Sequence, residues 1–434
     1  MNEAFLDNIK SAHFIGIGGI GVSAIARLML ARGVYVSGSD RAPSLVTEKL
    51  EALGARIFFG HDKAYVPAAL DVLVYSPAVS DKNPELCIAR ERGVPTYSYP
   101  EALGQISRGM RTVAVAGTHG KTTTTAMIAE VLVDARKNPT VIVGSLLKSG
   151  TNFIAGTSDL FVVEACEYKR SFLNLSPEIL VITNIDNDHL DYYGSIEGIQ
   201  EAFAEMAAKV PAIGAIVCNP SDPLVAPVLT KTSARIIDYT KETLTTPLAV
   251  SGEHNIKNAK AALAVARLLG VEEGEAVRLL VKFEGTWRRM EYKGTTASGV
   301  LVYDDYAHHP TEIQATLQGF RAKYPEGRIR VVFQPHLYSR TKLLLNDFAQ
   351  SFGDANEVIV APIYAAREAN DPTITAEILA QRIMDEQKNP GLRVWAMLDF
   401  VAIETYLRDT AEKGDIIVTM GAGDIFKVGE SLLG

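Results

Sequence analysis

Cysteine is scarce. The three in 434 residues, Cys87, Cys166 and Cys218, are far apart and in no CxxC or Cys/His grouping, which excludes a disulfide scaffold and a thiolate metal site. They predict reduced, mostly buried thiols in a cytosolic protein. An excess of positive charge is missing too: 43 Lys and Arg stand against 51 Asp and Glu, a formal net charge of −8, so no global field favours nucleic acid as a partner. No long unbroken apolar run occurs. The most apolar early stretch, Phe14 to Leu30, is rich in Gly and Ala, is interrupted by Arg27 and follows no basic leader, and so reads as neither signal peptide nor membrane span. With 47% hydrophobic and 22% charged residues the composition is globular, which excludes disorder, collagen and coiled coil as overall classes.

What the chain does have is rhythm. At about 150 residues per domain its length predicts roughly three domains, and three series of short apolar runs alternate with helix-length segments. AHFIGIGG, VYVSGSD, RIFFG and DVLVYSP form the first; TVAVAG, PTVIVG, DLFVVEA, EILVITNI and AIVCN the second; VLVYDDY, RIRVVF, EVIVAPI and DIIVTMGAGD the third. Strands alternating with helices predict parallel sheets. No Pro/Ser-rich or charged linker marks the boundaries, so the rhythm alone places them, giving domains 1–106, 107–293 and 294–434.

Two glycine-rich turns follow strands. GIGGIG supplies Gly16, Gly18 and Gly21, with Asp40 closing the second strand; such glycines bring backbone N–H groups and a helix N-terminus close to a diphosphate. A nicotinamide dehydrogenase, or a packing turn with no ligand, would look the same here. Asp40 would pair a ribose hydroxyl or base edge, or cap the loop. The second turn, Gly117-Thr118-His119-Gly120-Lys121-Thr122, is close to a phosphate-binding P-loop, although the usual spacing wants Gly where Val115 stands. Successive N–H groups would cradle phosphate, Lys121 would reach the β/γ oxygens, and Thr122 would offer its hydroxyl to Mg²⁺. The predicted ligand is a nucleoside triphosphate.

A hard cation also wants carboxylate, and DLFVVEACEY supplies Glu164 and Glu167 at a strand's end, Glu164 being the first choice. After the next strand comes Asp186-Asn187-Asp188-His189-Leu190-Asp191, where His189 among carboxylates would hold a second ion or position phosphate.

GTHGKTTTT, Glu164, NDHLD, GEHNIKNAKAALAVA, FEGTWRRME, DDYAHHP and FQPHLYSRT occur in this order along essentially the whole chain, and with them the sequence resembles the Mur ligases. The resemblance implies an α/β protein of three tandem domains: an N-terminal Rossmann-like domain for a UDP-sugar, a central P-loop ATPase-like domain on a parallel sheet, and a C-terminal Rossmann-like domain for the amino acid. It implies a cytoplasmic ATP-dependent ligase of peptidoglycan precursor synthesis, most similar to the members that join L-alanine to UDP-N-acetylmuramate. Mg²⁺ would be the metal, with Mn²⁺ as a substitute, and neither nucleic acid nor membrane a partner; the protein would be a monomer or weak homodimer.

The implied sites follow the motifs. Gly18, Gly19, Ile20, Asp40 and Ser76 would face the UDP-sugar. Gly117, Thr118, Gly120, Lys121, Thr122, Thr123, His254, Asn255, Asn258 and Arg288 would bind ATP, with Thr122, Glu164 and His189 on metal. Tyr306, His308, His309, His336 and Arg340 would line the amino acid and product. His119 would orient the acyl acceptor or a phosphate oxygen, and His336 is the candidate general base. DDYAHHP is also a helix start, with Pro310 in its first turn.

The chain departs from the family pattern in places. EACEYKRSF replaces an acidic EADES-like run and resembles, in its E-x-x-E-Y spacing, the ligase that reattaches a recycled tripeptide; the FLNLSP segment favours alanine. Leu337 stands where many relatives have a basic residue and Ala307 where Gly is usual, and no motif marks Lys209 as a carbamylated lysine. Three rival readings follow: a tripeptide-recycling ligase; a nicotinamide dehydrogenase, which leaves the P-loop unexplained; and a noncatalytic nucleotide switch.

Overall fold

The computed structural model describes residues 5–6, 8–147, 150–366, 368–386 and 389–434, with Asp191 described by its backbone alone. Three sheets succeed one another along the chain. In the first, β1 (Ser11–Ile15), β2 (Tyr35–Asp40), β3 (Arg56–Phe59), β4 (Val72–Tyr75) and β5 (Thr96–Ser98) run parallel in the order β3-β2-β1-β4-β5. The second contains β6 (Arg111–Ala116), β7 (Thr140–Ile142), β8 (Phe153–Ile154), β9 (Leu160–Glu164), β10 (Ile179–Ile182), β11 (Ala215–Cys218) and β12 (Arg235–Asp238), in the order β12-β11-β10-β6-β9-β7-β8. Only β8 in it is antiparallel. The third sets β13 (Glu291–Thr295), β14 (Leu301–Asp305), β15 (Ile329–Phe333), β16 (Glu357–Val360), β17 (Arg393–Ala396) and β18 (Ile416–Met420) in the order β13-β14-β18-β15-β16-β17, with β13 antiparallel to its neighbour.

The α/β architecture of three sheet-centred regions is as the sequence implied. The central strands are buried on both faces, as parallel sheets between helices are, and hence read as continuous apolar runs. In the third sheet the two-residue period of a strand sends Val331 and Phe333 into one core and Val332 into the other, with Val418 and Ile417 divided in the same way.

The chain forms two compact units, Met1–Pro247 with Lys257–Lys282, and Leu248–Ile256 with Phe283–Gly434. The first two sheets share a unit, where the side-chain amide of Asn152 donates to the carbonyl of Ile20 and links them. The second unit takes up the chain at Phe283, ahead of the expected break at Gly294. Gly294 lies inside β13, whose pairing with β14 a boundary there would cut.

Local signals fix the helices that matter for the sites. Asn83 accepts from Glu85 and Leu86 N–H and Pro84 opens the helix Pro84–Glu91, while Ser44 and Thr47 form a reciprocal cap on Leu45–Ala52. The thiol expectation needs correction: Cys218 is buried, Cys87 half-buried and Cys166 exposed. Cys166 follows the end of β9, where the chain has left the apolar interior of the sheet. Among the described residues no helix is long and apolar enough to cross a membrane.

Candidate active site

β6 lies between β9 and β10, so the loops leaving the C-terminal ends of these three strands converge, the usual place for a ligand in a parallel sheet. The loop after β6 is the glycine-rich turn, and its glycines are obligatory. Gly117 has φ +136°, and a Cβ there would lie 1.9 Å from Thr183 Oγ1; Gly120 has φ +80°, and its Cβ would meet Asn258 Oδ1 at 2.5 Å. Val115 sits in β6, paired with Glu164 of β9, so Gly117 makes the turn that the missing glycine would have made. The loop is tied to the end of β10: His119 N–H donates to Asn184 Oδ1 at 2.9 Å, and Thr183 Oγ1 and Asn184 Nδ2 donate to the His119 carbonyl. Gly117→Ala is expected to destabilise by about 3 kcal/mol through positive φ and overpacking together, read as a lower urea midpoint.

The helix Lys121–Asp134 starts with Lys121, whose ammonium donates to the carbonyls of Gly117 at 2.6 Å and Thr118 at 2.9 Å and to Glu167 Oε1 at 2.9 Å. Burial alone would lower its pKa, but the charge of Glu167 and its neighbours outweighs burial, so Lys121 titrates above the ordinary lysine range and is charged at neutral pH. Thr122 Oγ1 donates to Glu164 Oε1 at 2.9 Å, while Glu164 Oε2 accepts from Gly144 N–H at 2.8 Å. A hydroxyl beside a strand-end carboxylate is an all-oxygen pair suited to Mg²⁺, so these two residues fit the ion.

His189 faces the other carboxylate: its Nε2 is 3.6 Å from Glu167 Oε1 and 3.7 Å from Asp188 Oδ2, with the Tyr168 ring 4.8 Å away. Its φ of +53°, like those of Lys169 and Arg170 (+52° and +56°), is uncommon for a residue with a side chain and clusters at this site. Glu167, ranked behind Glu164 from sequence, is thus the acid that meets both Lys121 and His189. His119 Nε2 lies 3.1 Å from Asp186 Oδ2, which orients the ring. Asn258 packs against Gly120, and Thr118, Thr122 and Thr123 are buried in the same turn. Asn255 caps backward, donating to the Ser251 carbonyl at 2.7 Å, and His254 packs beside Gly252.

In the first sheet Gly18 N–H donates to Asp40 Oδ2 at 2.8 Å and Arg41 N–H to Oδ1 at 2.7 Å, so Asp40 caps the glycine loop, one of the two roles foreseen for it. Gly19 caps the helix Ile20–Ala31, and Ser76 packs against Gly16, where a Cβ would stand 3.1 Å from its own.

In the second unit Arg288, expected to touch ATP, is committed elsewhere. It is 2% exposed; Nε donates to Asp304 Oδ2 at 2.5 Å, and its terminal nitrogens donate to the carbonyls of Gly423 and Gly421 at 2.8 and 2.7 Å. Its neighbour Arg289, which the sequence reading passed over within TWRRME, lies 5.3 Å over the Tyr306 ring and is only loosely paired with Glu312 at 3.8 Å. His308 donates through Nδ1 to the Tyr306 carbonyl at 3.0 Å, and His309 caps the helix Pro310–Lys323. Arg340 donates to His336 Nδ1 at 3.1 Å; the lone pair is engaged and the proton of a neutral ring sits on Nε2, which argues against His336 as the base. The His336 ring lies 5.8 Å from those of His308 and Tyr364, so Tyr306, His308, His336 and Arg340 form one group.

Burial raises Asp305 from 3.8 to about 6, against the opposing effects of Arg289 and the N–H groups of Met290 and Ala307. An acid whose folded pKa is raised holds its proton more tightly folded than unfolded, so stability falls as pH rises from about 4 to about 6 and is level above. The loss is on the order of 3 kcal/mol. Asp305→Asn is expected to flatten that slope in urea denaturation at stepped pH.

Three family profiles match the chain: Mur ligase family, catalytic domain, over 11–111; Mur ligase middle domain, over 115–246; and Mur ligase, glutamate ligase domain, over 288–423. A full-length relative from Clostridium kluyveri, named UDP-N-acetylmuramate--L-alanine ligase, is 39% identical with 100% of both chains covered. The chain belongs to the Mur ligase family. A protein of the same name from Desulfosudis oleivorans is 41% identical over 98% of both chains. Two solved Mur ligase folds superpose. The UDP-N-acetylmuramate-alanine ligase MurC of Thermotoga maritima has a TM-score of 0.79 at 28% identity, covering 97% of this chain and 98% of that one. A murein peptide ligase of Psychrobacter arcticus has a TM-score of 0.71 at 25% identity, covering 98% of each.

Proposed function

We propose that this Mur ligase joins L-alanine to the lactoyl carboxylate of UDP-N-acetylmuramate, using ATP and passing through an acyl phosphate, in cytoplasmic peptidoglycan precursor synthesis. The observation that carries the reading is the meeting of Lys121, Thr122, Glu164 and the His119–Asp186 pair at the C-terminal ends of three adjacent strands. The full-length similarity to relatives named for alanine supports L-alanine as the amino donor.

A carboxylate is a poor acyl donor. Transfer of the γ-phosphoryl group of ATP to the lactoyl carboxylate gives an acyl phosphate and ADP; the alanine amine then attacks the carbonyl, loses a proton, and inorganic phosphate departs as the amide forms. The protein's part is placement and charge. With the Thr118 and His119 N–H groups tied to Asn184, the start of the helix at Gly120 and Lys121 would receive the phosphates, Lys121 would supply a fixed positive charge, and the glycine loop of the first sheet, with Ile20 and Ser76, would receive the UDP-sugar. Thr122 and Glu164 would hold Mg²⁺, with Glu167 and His189 beside them. When bound, the ion would supply neutralisation of the phosphate charge.

His119, steered by Asp186, is set to orient a phosphate oxygen. In the third region Tyr306, His308, His309, His336 and Arg340 are assigned to the amino acid and product, and Arg289, which lies over Tyr306, joins them as a cation in place of the buried Arg288. The partition proposed from the sequence, 1–106 for the sugar nucleotide, 107–293 for ATP and 294–434 for the amino acid, is kept with its last boundary moved back to Phe283, where the second unit takes up the chain.

Phosphate release from Mg·ATP tests the reading, with UDP-N-acetylmuramate and, in turn, L-Ala, Gly, L-Ser and the tripeptide L-Ala-D-Glu-diaminopimelate. Release that requires both the UDP-sugar and L-Ala is expected. Release with the UDP-sugar and tripeptide, and not with the UDP-sugar and alanine, would move the assignment to recycling, the reading that the murein peptide ligase fold and the E-x-x-E-Y spacing also suit.

A further inference from the structure

All three hydrogen-bond donors of the Lys121 ammonium are in use within the protein, two on loop carbonyls and the third on Glu167. In this state the lysine does not point a proton outward. It is folded back on its own turn, and the group that completes its shell is a carboxylate of the same charge type as a phosphate oxygen. Glu167 is itself 3% exposed, and its second oxygen, Oε2, is buried with no hydrogen-bond partner. A buried carboxylate oxygen without a donor is costly, and structures retain such groups where something else is to be satisfied.

The surroundings narrow the cause. Tyr193 donates its hydroxyl to the backbone carbonyl of Glu167 at 2.5 Å, and Lys169 and Arg170 just after it hold positive φ, so the backbone is fixed on both sides of the acid. Glu164 already receives Thr122 Oγ1 and Gly144 N–H, and stands apart from this arrangement. Among the described residues His189 Nε2 also lies near Glu167 Oε1, at 3.6 Å.

We propose that Glu167 is a positioning residue that acts as an internal stand-in for phosphate, holding Lys121 on the loop until a nucleotide displaces it, and so makes nucleotide binding depend on a divalent cation. The inference rests on the P-loop reading of the proposed function. A triphosphate must take Lys121 away from Glu167 and then lie beside an unpaired buried carboxylate. Without a cation both effects oppose binding. With one, the released carboxylate, next to His189, has a positive partner and the penalty is removed.

The experiment is titration of the full chain with ATP by calorimetry, in EDTA and in excess Mg²⁺, for wild type, Glu167→Gln and Glu167→Asp, with thermal melts of each. The amide keeps the size and removes the charge; the shorter acid keeps the charge but withdraws it by one methylene. Cation-free affinity is expected to rise about tenfold in Glu167→Gln and by a smaller factor in Glu167→Asp, while the gain in affinity on adding Mg²⁺ shrinks in the same order. A purely structural glutamate would lower melting temperature and affinity together, cation or not. Wild-type-like or weaker cation-free binding in Glu167→Gln, or in Glu167→Asp should the amide variant not fold, overturns the inference. Absence of Mg·ATP binding by the wild type would overturn the P-loop reading instead.

Discussion

Lys121→Ala is expected to lower kcat/KM for the alanine-dependent reaction by about 10³-fold or more, the largest functional loss of any single change considered. Removal of one preorganised donor from a developing charge costs on the order of 10²–10³ in rate, and Lys121 is both a donor and a full charge. A second consequence is separable from the first. Lys121 is the partner of Glu167, and truncation leaves that carboxylate buried with both oxygens lacking the ammonium. Breaking a buried pair from one side costs on the order of 3 kcal/mol, so the variant should also melt lower than wild type. Lys121→Arg is not expected to rescue turnover: three acceptors around one nitrogen suit a compact ammonium, whereas the guanidinium is a planar fork with a longer reach. Phosphate release measured alongside melting distinguishes the two effects, and Glu167→Gln in the Lys121→Ala background should recover stability without recovering turnover.

How much was legible in the sequence depended on whether a feature was local. Most of the strands β1 to β4, β6, β7, β9 to β11, β14 to β16 and β18 were visible because burial on both faces writes a run of apolar residues, although β3 is an edge strand with no buried residue and β2 is largely polar, and the P-loop because glycine, lysine and threonine at fixed offsets have few other reasons to coincide. The strands left out, β5, β8, β12, β13 and β17, are short or lie at a sheet edge, with polar residues such as Glu291, Lys293, Arg235 and Arg393 on them; their pairing is decided by a neighbour far along the chain. β13 shows the consequence: the expected domain break was set inside it because only its antiparallel partner reveals it as a strand. Glu164 and Glu167 were both seen, but their ranking rested on which one closes the apolar run. The partners that give Glu167 its place, Lys121 at 46 positions before it and Tyr193 at 26 after, are tertiary contacts.

Arg288 is the sharpest case, and it carries the largest expected effect on stability. The motif TWRRME offers two adjacent arginines with the same charge, and nothing in the spacing says which one faces inward. The backbone decides: Arg288 has φ +56° and turns its guanidinium under the third sheet, between Asp304, the carbonyls of Gly421 and Gly423, and the rings of Trp287, Tyr306 and Phe426, 4.8 to 5.7 Å away. Arg288→Met, which keeps the length and loses the charge, is expected to cost about 3–5 kcal/mol in denaturation of the second unit, since two carbonyls lose their donors and Asp304 loses its cation. Burial already raises Asp304 above the usual aspartate range in spite of Arg288. Without the arginine its pKa rises further, so the variant's deficit should shrink as pH falls and Asp304 takes up a proton. Asp304→Asn added to Arg288→Met removes the stranded charge while an amide oxygen still accepts from Thr419 Oγ1, now 2.6 Å from Asp304, and is expected to recover part of the loss at neutral pH. Arg289→Ala is expected to do the reverse, changing the melting temperature far less because its interactions are a loose ion pair, one ring face and its charge near Asp305, while lowering turnover. If instead Arg288→Met folds with wild-type stability and loses only activity, the buried role assigned to Arg288 is wrong and the sequence-based assignment to ATP returns.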